Sequence, residues 1–180
     1  MGIPKEPKPV KLFIALLSNH EALFPQLEGE LAASFGPVDC ASGVLPWTLT
    51  DYYQEEMGSG LLRKFISFIS LVSPEKLAEL KLMTQGLEAN HQWVQGERRG
   101  RRANIDPGYL DANKVVLATT KDASHRVYLR SGIFAEATLR FHGGSFQPFD
   151  YTYPDYRWPE TLSFFFSLRS LYLSQLKVLG

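Results

Sequence analysis

Cysteine is almost missing from this chain: Cys40 is the only one in 180 residues. It can form no internal disulfide and no cysteine-based metal cluster within one chain, so it reads as a small buried hydrophobe. Histidine is sparse too, and His20, His91, His125 and His142 show no HxH or HExxH spacing. A dedicated zinc site is therefore not expected. None of the four opens a His-x-Ser or His-x-Thr pair, which argues against two-histidine phosphoesterase chemistry. There is no Walker A loop. The nearest stretch, from Gly58 to Lys64, lacks the second glycine with its Lys-Ser/Thr. Thr120-Lys121-Asp122 places its acid one residue too early for a guanine-reading motif. Long apolar runs are missing as well. Leu12–Leu17 is too short for a signal peptide, and Arg169 and Lys177 interrupt the apolar C-terminal stretch. A cytoplasmic protein with no membrane partner is expected. Net charge is also absent, with 19 basic and 19 acidic residues.

What is present is a chain long enough to bury a core without disulfides. Residues 1–9, rich in Pro and Lys, read as a disordered lead-in, and 10–180 as one domain. Val10–Leu17 has the continuous apolar character of a buried strand. A helix is predicted from His20 to Phe35, capped by Ser18 or Asn19, with Leu23, Leu27 and Leu31 on one face. Residues 38–49 look extended, and Asp51–Met57 reads as a short helical turn. Arg63–Leu71 alternates as a strand with Phe65, Ile69 and Leu71 on one face. Ser73-Pro74-Glu75 starts a helix that runs to about Asn90 through Leu77, Leu80, Met83 or Thr84, and Leu87. A strand at Val115–Thr120 completes a βαββαβ order. The predicted fold is α+β, a ferredoxin-like core. It is extended by a C-terminal hairpin, Val127–Arg130 with Ile133–Phe141 across a Ser131-Gly132 turn, and by a final helix over 161–179.

Charge is concentrated where apolar patterning fails. Residues 97–130 hold eight Lys/Arg and four acids, giving +4 against −4 for the rest of the chain. A local basic patch on a neutral protein suits a small anion better than a long nucleic-acid track. Within it, Gly96–Arg102 reads either as a mobile arginine arm that closes over an anion or as a solvated linker. Asn104–Leu110 reads as an ordered turn, in which Asp106 caps backbone amides, Gly108 takes positive φ, and Tyr109 is held in place. The other roles open to Asp106 are those of a metal ligand or a base.

Across the predicted hairpin, Val127 faces Glu136 and His125 faces Thr138, so His125, Glu136 and Thr138 share a sheet face. Arg126 and Tyr128 point to the other. His125 and Glu136 form either a candidate acid–base pair or a satisfied structural pair. Arg126, Lys121, Arg101 and Arg102 are the candidate donors to a small phosphate-bearing anion, with a nucleotide as one form of it. Tyr109, and Asp155 in the aromatic loop 150–160, are candidate wall residues. Two other classes stay open. One is an RNA-binding module that uses sheet aromatics and the basic arm. The other is an interaction protein forming a homodimer through its apolar final helix. No cofactor is implied.

Asn104–Leu110, Leu117–Lys121, Ser124–Leu129 and Thr152–Tyr156 resemble a prokaryotic domain-of-unknown-function family, DUF family 4416. The Asn-Ile-Asp-Pro-Gly-Tyr-Leu string is the specific part, and the similarity runs over nearly the whole chain. The resemblance implies no established activity, although some members carry a GTP-binding label.

Overall fold

A computed structural model describes residues 2–49 and 53–179. Strand β1 (Val10–Ser18) is buried along its whole length. Helix α1 (Leu23–Phe35) follows, then β2 (Val38–Ala41), β3 (Leu45–Pro46), the short α2 (Gln54–Met57) and β4 (Leu62–Val72). Next come α3 (Leu77–Asn90), a hairpin of β5 (Gln92–Gln95) and β6 (Arg98–Arg101), then β7 (Asn104–Leu110) and β8 (Lys114–Thr119). Strands β9 (Val127–Arg130), β10 (Ile133–His142) and β11 (Ser145–Pro148) lead to the long helix α4 (Pro159–Leu179). Of the predicted turn at Asp51–Met57, Asp51 and Tyr52 lie outside the described residues.

Nine strands form one antiparallel sheet. Its main path runs β11-β10-β8-β7-β1-β4-β2, with β3 on β4 and β9 on β10. The order β7-β1-β4-β2 carries two helical crossovers, α1 between β1 and β2 and α3 between β4 and β7.

Both faces of β1 are covered, because successive side chains point to opposite sides. Leu12, Ile14 and Leu16 pack with Phe24, Leu27 and Leu31 of α1 and Leu80 of α3. Phe13 and Ala15 pack the other way, with Phe164, Phe165, Leu168 and Tyr172 of α4. Phe13 meets Phe165 edge-on at 4.9 Å. Each such ring or leucine, fully buried, contributes about 1.5–3 kcal/mol. Among the described residues no helix is long and apolar enough to cross a membrane.

Several local expectations are corrected. Asn104–Leu110 is an interior strand, not a turn. Among the described residues Asp106 caps no backbone amide; it accepts instead from the Asn104 side-chain amide at 2.5 Å and from Lys81, and Gly108 is not among the positive-φ glycines. Gly108 is needed for space instead. A Cβ there would lie 2.4 Å from Phe13 Cζ and 2.6 Å from the Val116 carbonyl oxygen. Pairing with β1 overrode the local turn preference of Asp-Pro-Gly, as tertiary contacts often do. The arm or linker expected over 96–102 and the turn expected over 104–110 are therefore a hairpin and a strand.

In β9–β10 the Ser131-Gly132 turn forms with both φ values positive, 54° and 75°. An irregularity after Ile133 then slips the register by one, so Val127 pairs with Ala135 rather than Glu136. On β4 a register shift breaks the expected face, and Ile69 is exposed while Phe65 is buried. Helix α1 begins at Leu23 without a side-chain cap.

Helix α3 keeps the predicted stripe in its Thr84 version, with Leu87 packed against the core, and widens it with buried Lys81 and Glu88. Leu77, Leu80, Lys81, Thr84 and Glu88 face inward, while Met83 is exposed.

Candidate functional site

Strands β7 and β8 pair only over Gly108–Leu110. Before Gly108, β7 continues along β1, whereas β8 continues along β10. Pro107, which has no N–H to donate, stands where the ladder stops. The strands part there, and a cavity of about 450 Å³ is lined by both of them.

Asn104 and Asp106 enter from β7, two apart and so on one side of the strand. Lys81, Gln85 and Glu88 enter from α3 at positions i, i+4 and i+7, one stripe of a helix. Arg63 comes from β4, Glu136 from β10 and Arg101 from β6. Trp47, Tyr53, Tyr153 and Tyr156 supply aromatic surface, and Lys121 and Asp155 complete the charged lining.

Most of these charges are matched inside the protein. Lys81 Nζ donates to Asp106 Oδ1 at 2.7 Å and lies 3.8 Å from Glu88 Oε1. Burial of Asp106 works against its charge, but Lys81, with Arg63 and Asn104, holds its pKa below the usual carboxylate value. Burial dominates at Glu88 and raises its pKa. Arg101 clamps Glu56 through two nitrogens, at 2.6 and 2.9 Å, and reaches Glu88 at 3.1 Å and Asn104 at 2.8 Å. The hairpin β5–β6 is thus tied to α2, α3 and β7 by its own arginine, and Trp93 Nε1 adds a bond to the Glu56 carbonyl. The arm expected to swing freely is anchored at its base. Tyr53 is pushed up to about 12, chiefly by burial, and presents a neutral phenol.

Arg63 is different. Its Nη2 lies 2.9 Å from Asp155 Oδ2, both side chains being more than nine-tenths buried. That approach is off the hydrogen-bonding direction: among the described residues, Asp155 Oδ2 and Arg63 Nε and Nη1 have no hydrogen-bond partner. Trp47 Nε1 is buried and has no partner among the described residues either. Burial opposes the charge on Arg63, but Asp155, with Tyr156, Asp106 and Tyr53, raises its pKa.

The structure brings together five of the sequence-predicted residues: Asp106, Lys121, Arg101, Asp155 and Glu136 all line the cavity. Four others lie elsewhere. Arg102 is exposed, and Tyr109 packs into the apolar cluster of Leu77, Ala78 and Val116. His125 stacks on Tyr151 at 4.2 Å, with Nε2 3.3 Å from Glu136 Oε2. Arg126 does not point away from His125. Both precede β9, and Arg126 Nε donates to the same Glu136 oxygen at 2.7 Å. Its other nitrogens reach the Lys121 carbonyl at 2.9 Å and the Tyr153 hydroxyl at 2.8 Å. Arg126 therefore braces the cavity wall from behind.

Arg63, Lys81, Glu88 and Trp47 were not among the candidates from sequence. Signals for them existed. The alternation that turns Phe65 inward turns Arg63 inward too, and Lys81, Gln85 and Glu88 form a polar stripe at helical spacing.

The family model described as "Domain of unknown function (DUF4416)" matches residues 8–172. No curated protein and no solved structure matches the chain.

Proposed function

We propose, for a chain that belongs to the DUF4416 family over residues 8–172, that the cavity between β7 and β8 binds a small anionic ligand. One observation carries this reading: Arg63 lines the cavity with two of its three nitrogens buried and, among the described residues, unbonded. A buried donor without an acceptor is costly, and a guanidinium accepts nothing. An oxygen anion supplies what Arg63 lacks, in charge-assisted bonds. Trp47 Nε1 adds a third unfilled donor at the same wall. In place of the basic pocket expected from sequence, the anion meets a few unfilled donors among charges already paired.

The core itself we read as ferredoxin-like, supported by the strand order β7-β1-β4-β2 and the two helical crossovers. An RNA-binding module would need an open sheet face for stacking, and α4 lies across the face opposite α1 and α3. Self-association through α4 rests on its exposed Phe166 and Leu171. Light scattering at high concentration tests it, and a strict monomer removes it.

Thermal-shift measurements with a panel of carboxylates, phosphate and nucleotides test the main reading. Stabilisation by at least one anion, lost in Arg63→Gln, is the expected result. Stabilisation that survives Arg63→Gln unchanged overturns it.

A further inference from the structure

The cavity holds matched rather than surplus charge. Among its described lining residues, the cations Arg63, Lys81, Arg101 and Lys121 are balanced by Glu88, Asp106, Glu136 and Asp155. A ligand with several negative charges would enter a site with no net field to neutralise them, and buried uncompensated charge is strongly disfavoured. A ligand whose own charges cancel meets no such obstacle.

The unfilled groups define the ligand further. On the donor side stand Arg63 Nε, Arg63 Nη1 and Trp47 Nε1; on the acceptor side stands Asp155 Oδ2. All three side chains are more than nine-tenths buried, and all three line the cavity. The acceptor and the guanidinium are neighbours, with Arg63 Nη2 2.9 Å from Asp155 Oδ2. A ligand that satisfies both must therefore carry an anionic oxygen group and a hydrogen-bond donor close together.

We infer that the ligand is a small amino carboxylate, a zwitterion of the free amino acid type. Its carboxylate is received by Arg63 and Trp47 and its ammonium by Asp155. The inference rests on the anion-binding reading above and narrows it. The neutral phenol of Tyr53 and the ring of Tyr156 line the cavity beside these groups. No group of the ligand is broken or transferred in this scheme; the site recognises.

Calorimetric titration of the full chain tests it. The probes are the free amino acids, the matching deaminated and 2-hydroxy acids, inorganic phosphate and a nucleoside triphosphate. At least one amino acid is expected to bind, and its deaminated counterpart to bind tenfold or more weakly. Asp155→Asn is expected to weaken the amino acid tenfold or more and to leave the deaminated acid within about twofold. Trp47→Phe keeps an aromatic ring, removes one donor, and is expected to weaken both by about the same factor. This variant keeps the test available if Asp155→Asn fails to fold. Equal affinity for the amino acid and its deaminated partner overturns the zwitterion. So does phosphate or the triphosphate as the tightest Arg63-dependent ligand, although the anion reading then survives. No binding by any probe overturns both.

Discussion

Two buried cations on neighbouring strands of this sheet have opposite fates. Lys11 on β1 is fully buried, and its ammonium bonds Asp39, the Phe68 carbonyl at 2.7 Å and Gln175 Oε1 at 2.9 Å. Three donors meet three acceptors, so the group is saturated by β2, β4 and α4. Arg63 on β4 is nearly as buried, yet only one of its nitrogens approaches a partner. Burial alone therefore does not distinguish the two cations; what differs is whether their donors are filled, and only Arg63 borders the cavity. Lys11 closes the sheet against α4, whereas Arg63 keeps two nitrogens at the cavity wall with no partner among the described residues, the place where the proposed anion would bind.

The largest expected effect is at the saturated cation. Lys11→Met strands the Asp39 carboxylate and two further acceptors, and should cost about 3–5 kcal/mol by denaturant unfolding. Ligand affinity in the fraction that folds should hardly change. A loss under 1 kcal/mol, or a loss confined to ligand binding, would erase the distinction.

The unsaturated pair should respond with the reverse sign. Replacing both partners, Arg63→Met with Asp155→Leu, removes two poorly satisfied charges together. Such replacements are often neutral or stabilising, by about 1–4 kcal/mol. A raised melting temperature with abolished anion binding is the outcome that fits. A double variant much less stable than wild type would place Arg63 in the same class as Lys11.

The cavity wall depends on β7 lying close against β1, which Gly108 permits. Gly108→Val should cost about 1–3 kcal/mol through overpacking on Phe13 and the Val116 carbonyl. Phe13→Leu in the same chain should recover only part, because the carbonyl is backbone.

Acid offers a graded version. The pKa of Asp106 is lowered in the fold, so its contribution is present above the unfolded value, about 3.9, and is lost as pH falls through the folded one. Asp106→Asn should therefore differ most from wild type near neutral pH and converge with it in acid, read as melting temperature against pH. A constant offset across the range would show that charge on Asp106 is not what matters. The smallest effect is expected from Tyr153→Phe, which removes one bond to Arg126 and should cost about 0.5–1.5 kcal/mol.

Local pattern made much of this protein legible. The apolar run at β1, the Pro74 start ahead of α3, the Ser131-Gly132 hairpin turn and the long α4 all follow from periodicity and turn chemistry, which act between near neighbours in the chain. So does the α+β order of elements. Three of the five predicted cavity residues, Arg101, Asp106 and Lys121, were within reach because charged and turn-forming residues clustered around 97–130 mark a segment that folding alone explains poorly; Glu136 came from the hairpin pairing and Asp155 from the aromatic loop.

Tertiary structure decided the rest. Asn104–Leu110 became a strand because β1 offered it a partner along its length, and that gain outweighed the turn preference of Asp-Pro-Gly. The one-residue slip after Ile133 brought Arg126, not just His125, to Glu136. Above all, the sequence holds Arg63, Trp47 and Asp155 up to 108 positions apart. No short-range pattern relates them. Only the pairing of β3 on β4, and the packing of the 154–157 turn beside it, sets a donor-rich guanidinium next to a carboxylate and leaves both unfilled. Valence left over after folding is a property of the whole packed chain, because each polar group finds its partner, or fails to, only when every distant segment is in place.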